Sequence, residues 1–146
     1  MMELFFEFIL GFFAVIGYAY YYNIPYKTLH VSGFIGAVGW TMYNLGVYFD
    51  VANLGVFIGS ICIGFLGEFF SRKYKLPATI YLIPGIIPLV PGMSMYFMMY
   101  NIVMKNYYEA FNQGLNAAVV AGAISIGLFI ASSTWVKITR VKNIVR

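Results

Sequence analysis

The chain has 146 residues, one domain's worth, of which 62% are hydrophobic and 10% charged, against roughly a quarter charged in an ordinary soluble domain. A soluble fold this small has a large surface for its volume and needs more polar residues than these to cover it, so the composition excludes that class and points to lipid as the solvent. The net charge of +4 gathers in Arg72-Lys73-Tyr74-Lys75 and in the tail from Lys137 to Arg146, a pattern that membrane flanks explain more simply than a nucleic-acid surface does.

At 1.5 Å of rise per residue, about 20 apolar residues cross a bilayer's hydrocarbon. Five stretches qualify, at about 3–22, 30–49, 53–70, 76–104 and 114–136. They predict an all-α integral membrane protein in a single transmembrane domain, 1–146. The first stretch opens with Glu3 and Glu7 rather than a basic region and ends in Tyr20-Tyr21-Tyr22, so it reads as a retained span and not a signal peptide. Asn23-Ile24-Pro25 then interrupts the helix, because proline cannot continue it. Asp50 marks the far end of the second stretch, and Ser71-Arg72-Lys73 the stop of the third. Glycines recur on the second, third and fifth spans (Gly33, Gly36 and Gly39; Gly55, Gly59, Gly64 and Gly67; Gly114, Gly122 and Gly127). Small residues three or four apart let helix backbones approach closely.

Five spans divide the cations unevenly. One side holds Lys27, Arg72, Lys73, Lys75, Lys137, Arg140, Lys142 and Arg146; the other holds only Lys105. By the positive-inside rule the N-terminus lies outside and the C-terminus in the cytoplasm, in a multi-pass protein of the cell membrane.

The fourth span carries the most informative run, Pro84-Gly85-Ile86-Ile87-Pro88-Leu89-Val90-Pro91-Gly92. Each proline removes a backbone donor and clashes with the preceding turn, so the fourth helix is predicted to break. Broken backbone at membrane depth survives only where protein buries it or where it lines a wet cavity. Transporters use such breaks to aim half-helix ends at substrate and ions. The second half-helix is predicted to restart near Met93-Ser94, its positive end turned toward an anionic group; a packing kink is the bland alternative. Glu68, four residues before Arg72 on the third span, suits either an interfacial ion pair or a proton- or substrate-binding carboxylate. Glu7 reads as a solvated helix end and Asp50 as an outer-loop residue. Asn44, Ser60, Ser94, Asn101 and Ser125 are polar and intramembrane, with interhelical hydrogen bonding as their default role; Asn44, Ser94 and Asn101 also join the candidate pathway. Cys62 stands alone in an apolar run, a small buried residue by default, and His30 has no cluster around it to hold a metal. No nucleophile-and-base set, phosphate loop or metal motif is visible, so the sequence predicts no enzyme, cofactor or metal, and transport would run on an ion gradient or downhill.

Leu76-Pro77-Ala78 followed by Ile83-Pro84-Gly85-Ile86-Ile87-Pro88-Leu89-Val90-Pro91-Gly92 resembles the signature of the threonine/serine exporter (ThrE-like) family, in which a Pro-Ala precedes a PGxxPxxPG run. Gly67-Glu68 with Arg72, Asn23-Ile24-Pro25 with Lys27 and Leu29, and Gly36-Ala37-Val38-Gly39-Trp40 are also similar to that family. The chain is similar to the shorter C-terminal-half subunit of its two-component members. The resemblance implies proton-driven export of threonine and serine, or of small dicarboxylates in some two-component systems. It also implies a second membrane subunit carrying a soluble region. On this reading the broken helix (Pro84, Gly85, Pro88, Pro91, Gly92) forms the path, Glu68 handles the proton or a substrate amine, and Arg72 anchors or gates. Five spans are few for a pathway, so a second five-span subunit, a homo-oligomer or both are expected. The alternative is a non-transporting scaffold or regulatory subunit of a transporter complex.

Overall fold

Each helix ends where the local sequence favours a turn. In the computed structural model, which describes residues 2–144, α1 (Met2–Tyr21) gives way to Asn23 at a φ of 55°, a left-handed conformation that asparagine tolerates better than most residues. Pro25 then precedes α2 (Tyr26–Tyr48), and the Thr28 hydroxyl donates to the Pro25 carbonyl at 2.8 Å. Asp50, at a φ of 57°, turns the chain into α3 (Ala52–Tyr74). The predicted stop at Ser71-Arg72-Lys73 is instead the last turn of α3, because basic side chains favour the negative end of the helix dipole. Lys75 ends α3 in the left-handed conformation, and Ser71 clasps the turn by donating its hydroxyl to the Leu76 carbonyl at 2.6 Å.

The fourth stretch divides into α4 (Thr79–Ile86), a 3₁₀ turn (Ile87–Leu89) and α5 (Gly92–Val103). The chain turns again at Lys105, and α6 (Tyr107–Ile144) begins well before the predicted Gly114. Its early start is favoured by Glu109 in the first turn, at the positive end of the helix. Of the predicted flanks, the Glu3, Arg140, Lys142 and Arg146 side chains lie outside the described residues.

Among the described residues three helices are long and apolar enough to cross a membrane: α1 over Leu4–Tyr21, α3 over Ala52–Tyr74 and α6 over Tyr107–Trp135. The two halves of the fourth stretch, bent by 54°, make a fourth if they count as one span. The five-span expectation is thus met in part. α2 has 23 residues, enough for a crossing, but Thr28, His30, Ser32, Trp40, Thr41 and Asn44 dilute its apolar character. Position explains the dilution: α2 packs against α1, α3, α4 and the 3₁₀ turn, and a helix enclosed by protein has no need of an all-apolar surface.

Glycine sets these packings. Gly46 and Gly55 meet backbone to backbone, so that a Cβ on Gly55 would lie 2.8 Å from the Met42 carbonyl and 2.9 Å from Gly46 Cα. One turn further, a Cβ on Gly59 would lie 2.9 Å from the Gly39 carbonyl. Gly64 opposes Ala131 across α3 and α6. The expected close approach holds at these positions; Gly122, by contrast, has nothing near it. Val31, Ile35, Val56, Ile63, Tyr81, Leu89 and Ile124 form the core, which places the turn after α4 at the centre of the bundle.

Candidate functional site

The prolines strip the break of hydrogen bonds in a definite order. Pro84 lies inside α4 and cannot donate to the Ile80 carbonyl. The buried Ser32 hydroxyl of α2 donates to that carbonyl instead, at 3.4 Å. Pro88 cannot donate to the Pro84 carbonyl, and the Ile87 amide takes its place. Pro91 cannot donate to the Ile87 carbonyl, and the Val90 amide does so at 3.2 Å. Each carbonyl that a proline orphans is therefore satisfied by a neighbour.

The exceptions come where the chain changes direction. Among the described residues no backbone N–H reaches the Pro88 or Leu89 carbonyl. Gly92 donates to Val90 at 2.7 Å and Met95 to Pro91 at 3.1 Å, so the first turn of α5 keeps bare amides at Met93 and Ser94. Polar backbone of this kind requires water or a polar ligand at membrane depth. A cavity of about 270 Å³ supplies the room, lined by Pro88 to Ser94 together with Trp40, Tyr43, Asn53 and Asn116. One water needs only about 10–15 Å³ of such space. Ala52 and Asn53 place one end of the cavity beside the turn between α2 and α3.

Across this cavity the Asn116 amide of α6 donates to the Ser94 hydroxyl of α5 at 3.0 Å. A double-mutant cycle of Ser94→Ala and Asn116→Ala is expected to give a coupling of about 1 kcal/mol in thermal or denaturant unfolding. Strict additivity of the two single changes would mean that the pair does not hold α5 to α6.

A second cavity, about 360 Å³, lies on the other side of Trp40 and Pro88, which line both. Its remaining walls are Glu7, Leu10, Gly11, Ala14, Tyr18 and Ile87. Glu7 and Gly11 are four residues apart and so share one face of α1; Trp40 and Asn44 share one face of α2. The absence of a side chain at Gly11 lets the Trp40 ring lie against α1, 3.1 Å from where a Cβ would stand. The Trp40 indole N–H then donates to Glu7 Oε2 at 2.7 Å, and the Asn44 amide approaches the same oxygen at 3.5 Å. Asn44 also donates to the Trp40 carbonyl at 3.1 Å. Glu7 is half-buried and holds two donors; it is not the solvated helix end that its sequence position suggests.

The sequence-predicted residues divide accordingly. Pro88, Pro91, Gly92 and Ser94 meet at the first cavity, and Asn44 reaches the second through Glu7 and Trp40. Pro84 and Gly85 are buried, with Gly85 facing Ile63 and Ile35, and support the break rather than line it. Asn101 donates to the Phe97 carbonyl of its own helix at 2.8 Å and reaches neither cavity. Glu68 and Arg72 also line neither one. Gly59 is level with Leu89 of the break, and Glu68 lies nine residues further along α3, about 13 Å away. Among the described residues no ion pair joins Glu68 to Arg72. Trp40, Asn116 and Glu7 are the additions. Glu7 carried a sequence signal as an ionisable group inside an otherwise apolar span, and Trp40 one as the end of the Gly36–Trp40 run; Asn116 carried none.

The family model described as "Threonine/Serine exporter, ThrE" matches residues 7–134, from Glu7 to beyond the end of the core of α6. The chain belongs to the threonine/serine exporter family. Members of this family are transporters, not enzymes. An uncharacterized protein of Haemophilus influenzae is similar, with 24% identity over 137 residues that cover 88% of this chain and 46% of the relative. The chain thus spans less than half the length of that curated relative. No solved structure matches it. The threonine/serine exporter match contains the whole of the broken helix and both cavities.

Proposed function

We propose that this chain is one subunit, or one half, of a secondary active exporter of small amino acids such as threonine and serine, or of related small carboxylates. The observation that carries this reading is the unpaired backbone at Pro88, Leu89, Met93 and Ser94 beside a cavity that reaches to the α2–α3 turn. Bare amides at the start of α5 suit a carboxylate, and bare carbonyls suit an ammonium or other cation. A small zwitterion presents both. Family membership supports the amino-acid class.

In this reading α2 is also a crossing, enclosed by its neighbours, and the chain crosses five times. The eight-to-one partition of Lys and Arg then puts the N-terminus outside and the C-terminus in the cytoplasm of the cell membrane. The first cavity belongs to the outward half, since the α2–α3 turn beside it is on that side. Glu68 and Arg72 stand near the cytoplasmic mouth, where they gate or bind a headgroup rather than hold cargo at the centre. Coupling is to protons, as antiport. The chain's share of its relative's length, 46%, supports a second membrane subunit or a second copy completing the pathway.

Efflux of radiolabelled serine, threonine and succinate from proteoliposomes tests this directly. The chain is reconstituted alone and with a co-expressed partner, with and without a pH gradient. Gradient-driven efflux of at least one amino acid is expected. Flux of none of the three in either preparation would favour the scaffold reading.

A further inference from the structure

We infer that Glu7 is the group that carries the coupling proton, in the cavity between α1 and the broken helix. The inference rests on the exporter reading and assigns within it a role that sequence spacing would give to Glu68.

The carboxylate is held in one orientation. Trp40 donates to its Oε2 at 2.7 Å and Asn44 approaches the same atom at 3.5 Å, while no hydrogen bond engages Oε1 among the described residues. A proton on Oε1 leaves both donors in place, because Oε2 accepts in either state. The indole N–H is a donor only and cannot itself take the proton. Loading and unloading therefore need no rearrangement of the Glu7–Trp40 pair; the proton arrives at Oε1 from water in the cavity and leaves to water on the opposite face.

The surroundings favour a proton over a metal cation. A sodium or divalent ion requires several oxygen ligands, and here two N–H groups point at the oxygen it would share. Among the described residues no group of three His, Cys, Asp or Glu side chains could hold a metal. Nor, among the described residues, does a Lys or Arg line this cavity. Tyr18 is the one other titratable residue lining this cavity, from α1. On α2 no charged residue occurs between Val31 and Phe49, and the 3₁₀ turn contributes Ile87 and Pro88.

Position links the proton to the cargo. Trp40 and Pro88 form the partition between the Glu7 cavity and the one beneath α5. Protonation of Glu7 weakens the indole N–H bond without breaking it, and so changes how firmly the Trp40 side of that partition is held.

The test compares wild type with Glu7→Gln and Trp40→Phe in proteoliposomes. Serine exchange is read without a pH gradient, and serine accumulation and dye-reported proton flux with one. Gln keeps an acceptor for Trp40 and resembles the protonated acid. Glu7→Gln is expected to leave exchange within about twofold and to cut gradient-driven accumulation by about tenfold, inside the 5–150-fold range of linked sites, with proton flux abolished. Trp40→Phe removes the indole donor to Glu7 Oε2 and is expected to alter the pH profile of accumulation. Proton-coupled accumulation that survives in Glu7→Gln overturns the inference, as does wild-type accumulation that follows a sodium gradient. Loss of exchange together with accumulation, in a Glu7→Gln protein whose melting temperature matches wild type, also overturns it by making Glu7 a cargo ligand. Absence of all flux in wild type itself fails the exporter reading instead.

Discussion

Gly92→Phe is expected to abolish most transport while leaving the fold intact. Gly92 lines the cavity beneath α5, and nothing lies within contact distance of a Cβ placed on it. Its backbone lies in no glycine-only region, since among the described residues no glycine has a positive φ. It is also the first residue of α5, where glycine is a poorer helix former than phenylalanine. The substitution therefore costs the helix nothing and fills the space that cargo would use. Overpacking a site costs about 2–3 kcal/mol, which corresponds to a ~30–150-fold loss of apparent substrate affinity. The melting temperature in detergent should stay at or slightly above wild type. Undiminished serine efflux in a folded Gly92→Phe protein would show that cargo does not pass beneath α5.

Gly55→Val has the opposite signature, lost folding rather than blocked transport. A Cβ on Gly55 meets backbone alone: the Met42 carbonyl at 2.8 Å, Gly46 Cα at 2.9 Å and the Tyr43 carbonyl at 3.0 Å. Side chains yield by changing rotamer, but packed helix backbones do not. The helices must separate, and the α2–α3 seam positions both Trp40 and Asn53 at the cavity. The expected cost is about 3 kcal/mol or more, a drop of about 10 °C in melting temperature or no recoverable folded protein. Gly122→Ala is the matching control. Its Cβ meets nothing within 4 Å, and alanine improves an exposed helix by up to about 1 kcal/mol. Equal behaviour of the two variants would mean that the seam is not close-packed.

The break in the fourth stretch was legible because its cause is local. Proline lacks a donor wherever it stands, so Pro84, Pro88 and Pro91 announce an interrupted helix without reference to anything else. Even there the sequence located the interruption more broadly than the structure does. Pro84 remains within α4 because Ser32, far away in the chain, hydrogen-bonds the carbonyl that Pro84 orphans. The end of α3 was misjudged for a related reason: Arg72 and Lys73 look like a stop, yet they favour the last turn that contains them. α2 shows the limit of apolarity as a guide, since the helix most surrounded by protein is the one whose composition is least lipid-like.

What the sequence by itself determined is the solvent, the helical class, the family and the neighbourhood of the broken turn. These follow from composition and from backbone chemistry that acts over a few residues. The identity of the groups facing that turn was decided only by tertiary structure. Glu7, Trp40 and Asn116 come from three different helices, whereas Glu68, the carboxylate that the sequence offered for the proton or a substrate amine, lines neither cavity. Spacing shows which residues share a face of one helix, but it does not show which faces meet. Here that choice is made by glycines: Gly11 admits the Trp40 ring against α1, and Gly46 with Gly55 brings α3 against α2.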